Sequence, residues 1–250
     1  MKTKAILLAS LLILFSTLNA QTGSFSVNLK FNGLDRTLAC YVPKGYDSTK
    51  QYQLMVCLHG LGDNSTNYRN SLINSLKWPE LFTNTIFICP DGGTDKNKDF
   101  YQPTGDESFI TDVLNYGLKK FSIADNKVIL QGFSLGGRSA LKYGLDNPTK
   151  INGLLLNTPA LQGLSDLDNK PKSSLQFNYN NAKLIPIFVT AGSSDYTYVF
   201  TIQELVKKLK RFNAPIMNLQ VQGLGHSIPS NLVLKYCQSF LNNSNLNEFD

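Results

Sequence analysis

A chain of 250 residues, 42% hydrophobic and 17% charged, is long enough to bury one sizeable core and too apolar to remain disordered. Its net charge of +6 falls to +4 when Lys2 and Lys4 of the amino-terminal segment are set aside. So mild an excess, with no basic patch interleaved with aromatics, excludes nucleic acid as an expected partner.

Met1-Lys2-Thr3-Lys4 is basic, Ala5 to Leu18 is almost wholly apolar, and Ala20 is a small residue before Gln21. This is the pattern of a secretory signal peptide cleaved after Ala20. The apolar run is short for a membrane span, so no stable span is expected after cleavage, and the protein is expected to be exported, either periplasmic or secreted. Residues 21–250 are then expected to form a single domain.

Ser24 to Phe31 and Arg36 to Val42 read as strands joined by the turn signal Asn32-Gly33. Gln53 to Leu58 is a short apolar strand ending at His59-Gly60, and Asn67 to Leu76 reads as a helix stopped by Pro79. Thr85 to Cys89 is a buried strand closed by Pro90-Asp91-Gly92-Gly93. Glu107 to Phe121 places Phe109, Ile110, Val113, Leu114, Leu118 and Phe121 at helical spacing. Lys127 to Leu130 predicts a strand, and a helix follows to about Leu145, closed by Asn147-Pro148. Ile151 to Leu156, Ile185 to Thr190 and Met217 to Gln222 predict the later strands, with helices over Phe200 to Phe212 and Ser230 to Leu241. Residues 160–183 have no clear periodicity and read as a small lid-like insertion.

Apolar strands alternating with amphipathic helices predict an α/β fold, a mostly parallel sheet of about eight strands with helices on both faces. Sites in such sheets lie beyond the carboxyl ends of the strands. His59, Asp91, Ser134 and Asp195 each closely follow an apolar strand and should share one rim. Cys40, Cys57 and Cys89 fall in apolar strand-like runs, so buried thiols are preferred to a disulfide, although an even count with Cys237 permits one. No Cys-x-x-Cys spacing or histidine pairing points to a metal.

The most informative stretch is Gln131-Gly132-Phe133-Ser134-Leu135-Gly136-Gly137, at the junction of a predicted strand and a predicted helix. Gly-x-Ser-x-Gly in that setting describes a nucleophile elbow, a strained turn that projects the serine hydroxyl clear of the sheet. A serine needs a base, and the chain has two histidines, His59 and His226. His226 lies in the glycine-rich loop Gly223-Leu224-Gly225-His226 after the last strand and is the expected base. Asp195, closing the run from Ile187 after a buried strand, is the expected acid that orients the imidazole. Asp166 and Asp168 are alternatives inside the irregular insertion, and the end of the sixth strand carries Asn157. Ser134, Asp195, His226 is the chain order of the α/β-hydrolase triad. In that geometry the backbone N–H groups of Leu61 and Leu135 form the oxyanion hole, with His59 as a structural or orienting residue beside them.

Leu58-His59-Gly60-Leu61-Gly62-Asp63, Gly132 to Gly137 and Gly225-His226-Ser227 resemble the phospholipase/carboxylesterase branch of the α/β-hydrolase superfamily. Glu107 to Pro148, with an exported amino terminus, is also similar to secreted feruloyl esterases and polyhydroxybutyrate depolymerase-like esterases. The resemblance runs from about Arg36 to Leu241. It departs from the first group at Ser193 to Val199, which lacks the Asp-x-x-Val-Pro pattern frequent there.

The expected protein is an exported serine esterase hydrolysing carboxylic esters through an acyl-enzyme, with no metal or cofactor required. Its expected substrates are small or polysaccharide-linked esters, such as feruloyl or acetyl groups on plant polysaccharide. His59, Tyr101, Tyr196 and Tyr198 are candidate substrate contacts, the tyrosines as aromatic loop residues near the site. A serine peptidase of the same fold and a non-catalytic hydrolase-fold binding protein are the alternatives. The oligomeric state leaves no mark in the sequence.

Overall fold

The computed structural model describes residues 21–93, 98–100, 103–168 and 175–242. Met1 to Ala20 and Tyr101 lie outside the described residues.

β1 (Gly23–Phe31) and β2 (Leu34–Val42) form an antiparallel hairpin. In the Asn32-Gly33 turn both residues have positive φ, 48° and 78°, which suits the right-handed twist of the flanking strands and which Asn-Gly adopts readily. β1 alternates half-buried and exposed residues, the pattern of an edge strand with one wet face. β3 (Tyr52–Leu58), α1 (Ser65–Asn70), α2 (Trp78–Leu81) and β4 (Thr85–Pro90) come next. They lead to α3 (Pro103–Lys120), β5 (Ile123–Phe133), α4 (Leu135–Asp146) and β6 (Gly153–Asn157). The chain continues through α5 (Gly163–Leu167), β7 (Ile187–Gly192), α6 (Val199–Arg211), β8 (Ile216–Val221), α7 (Asn231–Leu234) and α8 (Cys237–Asn242).

The strands form one sheet in the order β1-β2-β4-β3-β5-β6-β7-β8. β2 runs antiparallel to β1 and β4, and the remaining pairs are parallel. β3, β4, β6 and β7 are buried at every residue because helices cover both faces. Phe109 and Val113 of α3, Leu141 of α4 and Leu205 of α6 build the core on one face. Tyr68 of α1, Trp78 of α2 and Phe240 of α8 build it on the other. β3 lies between β4 and β5, so the loops leaving β3 and β5 diverge, and a crevice opens at such a switch in strand order.

Several elements differ from the sequence expectation. The helix expected over Asn67 to Leu76 starts at Ser65, where Asn64 accepts the Asn67 N–H at 3.0 Å, and widens into a π turn over Ser71–Ser75. Pro79 does not stop a helix. It occupies the second position of α2, where its missing N–H has no intrahelical partner to lose. The helix expected over Ser230 to Leu241 is divided into α7 and α8. The stretch 160–183 contains α5 and starts a 3-10 turn at Tyr179–Leu184. Its Leu161, Leu167, Leu175, Phe177 and Tyr179 all join the main core, so its apolar residues serve short packed pieces rather than one helical face. All four cysteines are free and buried. Burial, with the neighbouring Cys89 adding to it, pushes the Cys40 thiol up to about 12, so it carries no appreciable thiolate at neutral pH.

Candidate active site

At the end of β5 the chain turns sharply through Ser134, whose φ of 54° and ψ of −117° are rare for a residue with a side chain. The turn is packed too tightly for side chains around it. A Cβ on Gly132 would stand 2.2 Å from the Gly136 carbonyl oxygen, and one on Gly136 would stand 2.3 Å from that of Leu58. The Ser134 N–H donates to the Asn157 carbonyl at 3.1 Å, tying the turn to β6. Its carbonyl accepts the N–H groups of Arg138 at 3.1 Å and Ala160 at 2.9 Å. Leu135 then begins α4, so the hydroxyl stands beside the positive end of a 12-residue helix.

The loop after β8 brings His226 to this hydroxyl, with Nε2 2.8 Å from Ser134 Oγ. On the opposite side of the ring, Nδ1 lies 2.7 Å from Oδ2 of Asp195, in the loop after β7. A carboxylate oxygen only accepts, so Nδ1 carries the proton and Nε2 is left to accept from the serine. The rings of Phe133 and Tyr198 pack against the imidazole, with centroids 5.2 and 4.9 Å away. Asp195 is buried at 4% exposure, while the His226 side chain is 33% exposed, so the array is open to solvent at the imidazole.

Leu61 lies in the loop after β3 and Leu135 at the start of α4. Among the described residues neither backbone N–H has a hydrogen-bond acceptor. The peptide groups flanking Leu61 are held from both sides. His59 Nδ1 donates to the Gly60 carbonyl at 2.8 Å, and the Gly62 N–H donates to Asp99 Oδ1 at 2.8 Å. His59 is fully buried, with its ring 5.1 Å from Phe100 and its Nε2 unpaired. It therefore lies inside the protein body with its Nδ1 on the Gly60 carbonyl.

Of the candidate substrate contacts, Tyr196 is 86% exposed and the Tyr198 ring packs against His226 at a 38° tilt. The carboxylate that meets the imidazole is that of Asp195 rather than either alternative acid, Asp166 or Asp168. Asp166 receives two hydrogen bonds from Arg138, at 2.7 and 3.0 Å, and is fully buried. Asn157 belongs to a buried polar line, accepting from Gln131 at 3.0 Å and donating to Thr190 at 2.9 Å. Asp91 shares the rim but works structurally, accepting the Ser65 N–H at 2.9 Å and pairing with Lys98 at 3.0 Å. Sequence reasoning missed Asp99 and Thr158. The Thr158 hydroxyl donates to Asp195 Oδ2 at 3.1 Å, and only its place beside Asn157 hinted at the site. Among the described residues no group of three or more His, Cys, Asp or Glu side chains is arranged to hold a metal ion, and no helix is long and apolar enough to cross a membrane.

Residues 32–199 match the family model Esterase, described as "Putative esterase". A bifunctional acetylxylan esterase/xylanase of Neocallimastix patriciarum is 29% identical over 107 residues, 42% of this chain and 15% of that protein. A protein of Aspergillus terreus named "Probable feruloyl esterase C" is 25% identical over 152 residues, 58% of this chain and 54% of that protein. The chain thus spans about half the length of one curated relative and much less of the other. A solved ferulic acid esterase superposes with a TM-score of 0.67 at 18% identity, covering 90% of this chain and 98% of that one. At that identity the likeness establishes the fold, which is that of an α/β hydrolase.

Proposed function

The chain belongs to this esterase family, and we propose that it hydrolyses carboxylic esters by acyl transfer through Ser134, His226 and Asp195. The observation that carries the reading is the continuous hydrogen-bonded line from Ser134 Oγ through His226 to Asp195 Oδ2, with steps of 2.8 and 2.7 Å. His226 takes the serine proton as Oγ attacks the ester carbonyl, and Asp195 stabilises the imidazolium that forms. The amides of Leu61 and Leu135 hold the oxyanion, each donor contributing about 3 kcal/mol or more to the transition state. His226 then gives its proton to the leaving alcohol, activates a water against the acyl-enzyme, and the acid departs with Ser134 restored.

The names of the two curated relatives support acetyl or feruloyl esters of plant polysaccharide as substrates. Exposed Tyr196 and the ring of Tyr198 beside His226 give such an acyl group aromatic surface to rest on. Met1 to Ala20 directs export and is then removed, leaving one domain. Acetyl, feruloyl, long-chain acyl and peptide substrates offered to wild type and to Ser134→Ala test the reading. Acetyl or feruloyl release by wild type alone is expected. Peptide cleavage without ester cleavage would contradict it.

A further inference from the structure

Thr158 is in an unfavourable place for its residue type. It follows the last residue of β6 with a φ of 47°, and among the described residues no other β-branched side chain has a positive φ. Branching at Cβ makes that region costly, and Pro159 next in the chain biases the residue before it toward extended conformations of negative φ. A conformation held against both preferences persists only where the surroundings over-determine it. The surroundings here are the proposed triad. The Thr158 N–H donates to the Thr190 carbonyl of β7 at 2.8 Å, and the preceding Asn157 carbonyl accepts the Ser134 N–H at 3.1 Å. The side chain is fully buried and donates to Asp195 Oδ2 at 3.1 Å, the same oxygen that lies 2.7 Å from His226 Nδ1.

We infer that Thr158 is a positioning residue for the acid. Its hydroxyl fixes the rotation of the Asp195 carboxylate so that Oδ2 meets His226 Nδ1 in line, and it adds a second donor to the charge that opposes the imidazolium. The strained backbone is what brings a hydroxyl from the end of β6 to a carboxylate on the loop after β7. No proton is transferred through Thr158. The inference rests on the acyl-transfer reading, because it assigns Thr158 a part in that chemistry.

Three substitutions separate this role from simple packing. Thr158→Val keeps the branched shape and removes the hydroxyl, Thr158→Ser keeps the hydroxyl and removes the methyl, and Thr158→Gly releases the backbone strain. Thr158→Val is expected to lower kcat about 10- to 100-fold, the loss of one hydrogen bond to a charged group, with KM little changed. Thr158→Ser should return most of the activity. Thr158→Gly should match Thr158→Val in kcat while melting no lower than wild type. In proton spectra, the downfield signal of the His226 Nδ1 proton should shift in the Val and Gly variants and stay near its wild-type position in the Ser variant. A folded Thr158→Val with wild-type kcat, or Val and Ser variants equally impaired, would overturn the inference. Failure of the underlying reading looks different: wild type itself would show no Ser134-dependent ester hydrolysis, and both conclusions would fall together.

Discussion

Ser134 and Asp195 are the residues on which the proposed chemistry turns, and each is held by neighbours that tolerate little change. The backbone conformation of Ser134 costs on the order of 1–3 kcal/mol, sustained by a turn with no room for side chains at Gly132 and Gly136. Gly136→Ala would drive a methyl to 2.3 Å from the backbone oxygen of Leu58, which cannot swing aside as a side chain can. The expected outcome is a loss of about 1–3 kcal/mol in denaturant stability together with a larger relative loss of kcat, because the elbow itself must shift. Unchanged stability would show that the turn yields more easily than its contacts imply. Asp195→Asn keeps the size of the side chain but lets an amide donor face the imidazole. It should lower kcat by about 10³- to 10⁴-fold with the fold intact by circular dichroism. Activity near wild type would move the acid elsewhere.

The elements around the site are joined by carboxylates that accept backbone amides. Asp91, just past β4, holds the first N–H of α1 and the Thr37 N–H of β2, while Asp99 holds the loop after β3. Burial alone would raise the Asp91 carboxyl, but the Ser65 N–H and the Lys98 ammonium outweigh it and hold the group below the usual aspartate range. A carboxyl depressed in the folded state contributes stability above its unfolded value of about 3.9, and that contribution is lost as pH falls through the lower folded value. The stability gap between wild type and Asp91→Asn should therefore be larger at pH 7 than at pH 3 in paired denaturant titrations. An equal gap at both values would mean the carboxylate charge is not what joins these elements. The strands and the elbow could be read from the chain because apolar runs, Asn-Gly and Gly-x-Ser-x-Gly are local signals. Other features depend on what lies far away in sequence. Pro79 could be either a stop or an early helix position, and neighbouring residues do not distinguish the two. Thr158 carries no mark of its positive φ, since threonine is the residue one would exclude from that region. Asp99 sits in a polar loop, and its bond to Gly62 exists only once β3 and β4 are side by side.

Across the whole molecule, the described parts of residues 160–183 are fastened to the body rather than laid loosely over it. Phe177 and Tyr179 enter the main core, and the fully buried Asp166 is paired with Arg138 of α4, one turn beyond Ser134. Replacing one partner of a buried pair costs more than the pair contributes, because a charge stays behind in the interior. Arg138→Ala is therefore expected to lose about 3–5 kcal/mol of stability and to become sensitive to limited proteolysis within 160–183. Resistance equal to wild type would show that the core contacts alone hold the segment.

The proposed acyl transfer requires Ser134 to be an activated nucleophile. Treating wild type with a fluorophosphonate and locating the adduct by peptide mass spectrometry tests this directly. One adduct per chain is expected, on Ser134, with His226→Ala labelled far more slowly because the hydroxyl has lost its base. An unmodified wild type, or an adduct on another residue, would contradict the account.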